Sequence, residues 1–271
     1  MEKKKRILVI AAAVAVLALL IGCVIWTVWS NNNVKLTTVT VRDHNLPYAF
    51  KDFKIAQVSD LHNSELWPQV IERLKEADPD IIVITGDLVD RDHPDIDAAM
   101  AFIVEAIQIA DCFYITGNHE ADLPEEDYNR LMDGLKQYYV NVMEDRQIQM
   151  HRGGQYIALV GHSASGTDDV GSLLDFDGYS ILLSHKPEDF DDYVAAGYDL
   201  VLSGHAHGGQ IRLPLIGGLY TPGQGLFPKY DAGMYSQGKT DMYVSCGIGN
   251  SSFPIRFNNQ PEVVLIVLQP A

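Results

Sequence analysis

Cysteine is scarce and scattered: Cys23, Cys112 and Cys246 are the only three in 271 residues, and no C-x-x-C pair occurs. Neither a disulfide framework nor a thiolate zinc site is indicated, and the redox compartment is left undecided. Positive charge is also short, with 20 Lys and Arg against 36 Asp and Glu and a net charge of −16. Such a surface repels a phosphate backbone, so sequence-independent nucleic-acid binding is disfavoured and an anionic ligand needs a local positive centre. There is no internal repeat, no low-complexity tract in the body and no G-x-S-x-G elbow of a serine hydrolase.

One long apolar run exists, at the N-terminus. Ile7 to Trp29 carries no charge, and about 20 such residues at 1.5 Å rise span a hydrocarbon core of roughly 30 Å. This predicts a transmembrane helix. Lys3, Lys4, Lys5 and Arg6 crowd one end and Ser30-Asn31-Asn32-Asn33 follow the other, so the positive-inside rule places the body across the membrane from the cytoplasm, with Trp26 and Trp29 suited to the outer interface. The rival readings are a cleaved signal peptide and a lipobox. The run is long for a signal peptide and no A-x-A-like site follows it. Leu20-Ile21-Gly22-Cys23 resembles a lipobox that would make Cys23 a lipidated terminus, but apolar Val24-Ile25-Trp26 argues against it. Residues 1–33 are therefore read as basic stub, anchor and polar linker, and residues 34–271 as one domain.

The body alternates short apolar runs with amphipathic segments, the pattern of an α/β fold. Strands are expected at Lys54–Ser59, Asp80–Thr85, Cys112–Thr116, Tyr156–Val160, Ser180–Ser184, Leu200–Ser203, Met242–Ser245 and Val263–Leu268. Helices are expected at Pro68–Ala77, Ile96–Ala110, Glu125–Tyr138 and Pro187–Ala196. Dense Gly and Pro from Gly208 to Gly233 predict a long loop with short strands over the sheet edge.

The chemistry sits at the strand ends. Asp60-Leu61-His62, Gly86-Asp87, Gly117-Asn118-His119-Glu120, His185 and Gly204-His205-Ala206-His207 each follow an expected strand. Ligands of open α/β sheets bind beyond the carboxyl ends of strands, so these five segments should converge. Asp60, His62, Asp87, Asn118, His185, His205 and His207 are oxygen and nitrogen donors with no thiolate among them, a set suited to manganese, zinc or iron. One ion needs about four ligands, so seven point to a pair of divalent metal ions sharing a carboxylate.

In this order the segments resemble the scattered signature of the calcineurin-like metallophosphoesterases: D-x-H, G-D, G-N-H-[DE], H and G-H-x-H. The resemblance covers most of the chain after Phe53. Gly204-His205-Ala206-His207-Gly208-Gly209-Gln210 is similar to the bacterial membrane-associated phosphodiesterase branch, some members of which hydrolyse a UDP-2,3-diacylglucosamine lipid precursor. The resemblance implies a four-layer αββα sandwich of two mixed sheets flanked by helices, here preceded by one transmembrane helix. It implies that Asp60, His62 and His207 hold one ion, that Asn118, His185 and His205 hold the other, and that Asp87 bridges. It further implies His119 as the general acid that protonates the leaving alkoxide, oriented by Asp90, with Asn118 and Arg91 contacting the substrate phosphate. The Asp90-Arg91 segment is shared more with the protein-phosphatase branch than with the lipid-active one.

Blander readings apply elsewhere. His44, His93, His151 and His162 fall outside the motifs and read as core or capping histidines; His162 is the closer case because it also ends a strand, where the family resemblance implies a nearby aspartate, filled by Asp168 or Asp169. Glu125-Glu126-Asp127 reads as a helix N-terminus. Two functions remain open: a dinuclear hydrolase of a phosphodiester, pyrophosphate or phosphomonoester, or a tethered binding module that keeps the fold without catalysis. For the enzyme, a lipid-linked or cell-envelope substrate competes with a soluble nucleotide or sugar phosphate. Oligomeric state is not legible.

Overall fold

Runs such as Ile-Ile-Val-Ile-Thr and Ser-Ile-Leu-Leu-Ser have no polar face, so each strand they form must be covered on both sides. In the computed structural model, which describes residues 2–166, 169–250 and 255–271, they become central strands of two six-stranded sheets. The first contains β1 (Lys35–Asp43), β2 (Lys54–Val58), β3 (Ile81–Thr85), β4 (Asp111–Ile115), β5 (Asn141–Val142) and β16 (Glu262–Pro270), in the order β1-β16-β2-β3-β4-β5. The second contains β6 (Arg146–Arg152), β7 (Gln155–His162), β8 (Ser180–Ser184), β9 (Leu200–Ser203), β14 (Gly233–Gln237) and β15 (Thr240–Val244), in the order β14-β15-β9-β8-β7-β6. Both are mixed: β2 to β5 run parallel while β16 opposes β2, and β7, β8, β9 and β15 run parallel while β6 and β14 oppose their neighbours.

Alternation along each strand builds the layers. Ile81 and Val83 of β3 meet Ile181 and Leu183 of β8 in the core between the sheets. Ile82 and Ile84 point the other way, under α2 (Trp67–Ala77), α3 (Ile96–Ala106) and α5 (Glu125–Gln137), with Leu74, Phe102 and Leu131. On the far side Leu182 packs with Phe190 and Tyr193 of α6 (Phe190–Ala196). The result is the expected four-layer sandwich. α2 starts with Pro68 in its first turn and ends at Asp78 in the left-handed region (φ +47°); α3 starts where the Asp95 carboxylate accepts the Ala98 N–H at 2.9 Å.

Every expected strand and helix is present, Ser180–Ser184 and Leu200–Ser203 with the expected ends and the others with shifted ones. The helix expected to Ala110 stops at Ala106, and the one expected from Pro187 opens as a 3₁₀ turn over Pro187–Asp189. A one-turn helix, α4 (Asn118–Ala121), was not anticipated. The Gly- and Pro-rich excursion forms two small hairpins, β10 (Arg212–Leu213) with β11 (Gly217–Gly218) and β12 (Tyr220–Thr221) with β13 (Gly225–Leu226).

α1 (Glu2–Asn31) is long and apolar enough to cross a membrane, and its apolar span is unburied. The segment read as a polar linker is instead docked. Ser30 and Asn31 complete the last turn of α1, and the Asn31 side chain exchanges two hydrogen bonds with the Arg256 backbone, at 2.6 and 2.9 Å.

Glu262 ties the C-terminal strand to β1 and to the loop that follows β15. Its buried carboxylate accepts from the Thr37 hydroxyl (2.6 Å) and the Cys246 N–H (3.0 Å) and pairs with Lys35 at 3.0 Å. Burial alone would raise this carboxyl, but Lys35, Thr37 and Cys246 together hold it below its usual 4.5. A carboxyl depressed by folding stabilises above its unfolded value and loses that contribution as pH falls through the folded one. The stability gap between wild type and Glu262→Gln is therefore expected to be constant near neutrality and to shrink below pH 4.5, as measured by denaturant unfolding across pH.

Candidate metal centre

The parallel strands of both sheets deliver their carboxyl ends to one edge. Asp60 and His62 follow β2, Asp87 follows β3, Asn118 opens α4 beyond β4, His185 follows β8, and His205 and His207 follow β9. All but Asn118, which is half-buried, are buried. Backbone bonds lock the loops together, from Asp60 N–H to Gly86 O and from His62 N–H to Asp87 O, each 3.0 Å. Asp60, His62, Asp87, His205 and His207 all take positive φ, between +45° and +64°. Non-glycine residues avoid this region, and such strain persists only where surrounding contacts over-determine it.

Two donor groups that meet at Asp87, and a third made of His62, Asp90 and His119, form among the described residues. Asp60, His62, Asp87 and His207 present ligand atoms all within 4.8 Å of one another, as do Asp87, His185 and His205. Asp87 belongs to both. His62 Nε2 lies 3.2 Å from His207 Nε2 and 3.5 Å from Asp87 Oδ2, and His207 Nε2 lies 3.5 Å from Asp60 Oδ1. In the second group His185 Nε2 is 3.2 Å from both Asp87 Oδ2 and the Asn118 amide oxygen. His185 Nδ1–H donates to Thr85 O at 2.7 Å, which turns Nε2 towards the group.

Charge follows from burial. Burial pushes His62 down to about 4, His205 to about 3 and His207 well below its usual value, so these rings are neutral with lone pairs available. Burial lifts Asp60 to about 6. For the pair Asp87 and His185, burial opposes both charges, but their mutual attraction wins: Asp87 is held well below its usual value and His185 is raised to about 10. Two facing, unprotonated imidazole nitrogens beside buried carboxylates are what a cation satisfies, and a second cation beside Asp87 would take the place of the proton that Asp87 draws onto His185, so the residues fit a pair of divalent ions.

Close approach requires glycine beside the donors, most directly at Gly117 and Gly204. A Cβ on Gly117 would collide with the Asp87 carboxylate, and one on Gly204 with Ser59 Oγ and Asp60. Glu120 holds the loops from behind. Its fully buried carboxylate accepts from the N–H groups of Asp87 (2.9 Å), Val89 (3.1 Å) and Gly117 (2.7 Å), and burial, reinforced by Asp87, raises it to about 7.

The remaining expected residues stand at the rim. His119 Nδ1 accepts the Arg91 N–H at 3.1 Å, and its ring packs edge-on against His62 with centroids 4.4 Å apart. Asp90 Oδ2 lies 3.6 Å from His119 Nδ1 and 3.7 Å from His62 Nδ1, beyond hydrogen-bond reach of either; its other oxygen accepts the Asp92 N–H at 2.8 Å. The Arg91 guanidinium turns away to Asp122, at 2.6 Å. His162 and Lys186 line a cleft of about 180 Å³ that reaches His185. Asp169 caps the 3₁₀ turn Val170–Leu173 rather than joining either donor group; Asp168 lies outside the described residues.

Three residues escaped the sequence reading. Glu120 belonged to the quoted motif but signals no donor role by spacing. Glu188 Oε1 lies 3.7 Å from His205 Nε2. Arg256, fully buried, donates to the carbonyls of Cys246 (2.6 Å) and Gly249 and reaches His207 Nδ1 at 3.4 Å. Glu188 and Arg256 come from an acidic helix start and a C-terminal loop that carry no motif.

Two mixed sheets presenting two donor groups that share one carboxylate define a metal-dependent phosphoesterase with a site for two divalent ions. A profile described as Calcineurin-like phosphoesterase matches residues 53–209, more than half of the chain. The chain belongs to that family, whose members are metal-dependent hydrolases of phosphoric esters. It is 30% identical over 261 residues to the uncharacterized metallophosphoesterase YkuE of Bacillus subtilis, covering 87% of this chain and 86% of that protein. It is 28% identical over 237 residues to the phosphodiesterase YaeI of Escherichia coli, covering 83% and 86%. It is 27% identical over 302 residues to a transmembrane protein with metallophosphoesterase domain of Bos taurus, covering 99% of this chain and 64% of that protein. These names extend to phosphoester hydrolysis and membrane association, not to a UDP-diacylglucosamine substrate or to particular metals.

Replacing Glu120 by Ala orphans three buried amides, each worth about 1 kcal/mol or more, so Glu120→Ala is expected to lose on the order of 3 kcal/mol and to weaken metal affinity. Thermal unfolding and metal titration of the full chain check both effects. Glu120→Gln, which keeps one acceptor, is expected to fall between them.

Proposed function

We propose that the protein is a membrane-anchored phosphodiesterase acting on a phosphate ester at the outer face of the cell membrane. The observation that carries this reading is the sharing of Asp87 between the two buried donor groups, with His119 at their rim. Asp60, His62, Asp87 and His207 would hold one ion, and Asp87, Asn118, His185 and His205 the other. When bound, such a pair acidifies water and neutralises charge developing on the phosphoryl group. It thereby supplies the positive centre that the acidic chain otherwise lacks.

The protein's own part is positioning and proton transfer. Because His119 Nδ1 accepts the Arg91 N–H, the neutral ring carries its proton on Nε2, where it is available to the leaving oxygen. The backbone amide of Arg91, rather than Asp90, makes the orienting hydrogen bond. Asp90 acts through its charge beside His119 and His62, and Asn118 contacts the substrate phosphate. The Arg91 side chain reaches phosphate only after leaving Asp122.

The domain formed by residues 34–271 lies opposite the basic stub Lys3–Arg6, which favours a lipid-linked or cell-envelope phosphate over a soluble nucleotide or sugar phosphate. A panel of lipid-embedded and soluble diesters discriminates the two. His119→Ala is expected to lower kcat on a dialkyl phosphodiester, whose leaving alkoxide needs a proton, by about 10²–10⁴-fold while manganese binding, measured by calorimetry, is retained. Asp87→Ala is expected to abolish both. Full activity in His119→Ala, or turnover indifferent to chelator, would overturn the assignment and leave a tethered binding module.

A further inference from the structure

Large apolar side chains face outward in one excursion of the chain, between His207 and β14. Its first hairpin, β10 with β11, turns through Pro214-Leu215-Ile216. Leu215 is 108% exposed and Ile216 59%, and Leu215 takes φ +70°. Asn or Gly adopts that conformation at little cost; leucine does not. A water-facing tip of this kind carries both backbone strain and uncovered apolar surface. The tip itself has no charge, and Arg212 at its base is neutralised by Asp231 at 3.1 Å.

The neighbour of the hairpin indicates what covers it. Pro214 and Phe257 form one wall of a groove whose other wall is α1, at Leu19, Gly22 and Trp26. Exposed Ile255 lines a second groove with Val24 and Val28 of the same helix. Leu19 precedes Trp29 by ten residues, about 15 Å along a helix axis. With Trp26 and Trp29 at the outer interface, this stretch of α1 lies within the hydrocarbon, and the hairpin lies alongside it.

We infer that the hairpin Arg212–Gly218 is a second membrane contact, with Leu215 and Ile216 inserted among lipid acyl chains beside α1. The inference rests on the reading of α1 as an anchor. One helix alone leaves a domain free to swivel; a helix and a hairpin fix its tilt. The hairpin is also tied to the metal centre, because Asn259 donates to His207 O (2.6 Å) and Gln210 O (3.2 Å) at its root. The centre is thereby held at a set height above the bilayer, suited to phosphoesters at headgroup depth.

Fluorescence quenching in lipid nanodiscs tests this on the full chain. Cys112 and Cys246 are buried, so bimane labels native Cys23 in wild type, or a single introduced cysteine in Cys23→Ser chains carrying Leu215→Cys, Ile216→Cys or Tyr139→Cys. Tyr139 is 91% exposed in a groove that α1 does not border. With lipids brominated in their acyl chains, the labels at Cys23, 215 and 216 are expected to lose emission and the label at 139 to keep it. Quenching at Cys23 without quenching at 215 and 216 overturns the inference while leaving the anchor standing. A blue-shifted but unquenched label at 215 indicates a second protein copy over the tip and overturns it as well. An unquenched Cys23 removes the anchor, and the inference with it. Undiminished turnover of a soluble diester by each labelled chain shows that the variants are folded.

Discussion

Two carboxylates and four imidazoles are buried within a few ångströms of one another, and the rest of the architecture answers to that constraint. Such groups repel or desolvate each other unless a cation joins them, so their loops relax apart unless held. The hold is visible in the backbone: five of the donors sit at positive φ, Gly117 and Gly204 leave room for Asp87 and Asp60, and Glu120 gathers three amides from two loops. Strain of this kind is tolerable only on a rigid support.

The support is the pair of sheets. Strands β2, β3 and β4 and strands β8 and β9 are covered on both faces, and their side chains interdigitate in three apolar layers. Parallel pairing brings the carboxyl ends of neighbouring strands level, so donors far apart in sequence arrive at one edge. Loops on such an edge can vary in sequence and still present their tips to the same point, which is why motifs of two to four residues suffice.

The N-terminal helix is joined to the same parts. Asn31 joins the end of α1 to Arg256, and Arg256 reaches the carbonyls behind Asp60 and His62 as well as His207. The N-terminal helix, the C-terminal loop and the candidate metal centre therefore form one connected set of hydrogen bonds.

Periodicity and motif order were enough to place the central strands, the helices and the convergence of Asp60, His62, Asp87, Asn118, His185, His205 and His207, because fully covered strands leave continuous apolar runs and the donors follow them directly; the two mixed sheets came only with the family resemblance. The edge strands β1, β5, β6 and β14 were not legible, since a strand with one open face keeps runs such as Arg-Gln-Ile-Gln-Met-His-Arg, which lack an apolar signal. Nor could spacing reveal Glu120 as a clamp, the Arg91 N–H as the donor to His119 Nδ1, or Arg256 beside His207. Those roles depend on which backbone amides and ring nitrogens meet across loops remote in sequence, and only the packing of the two sheets decides that.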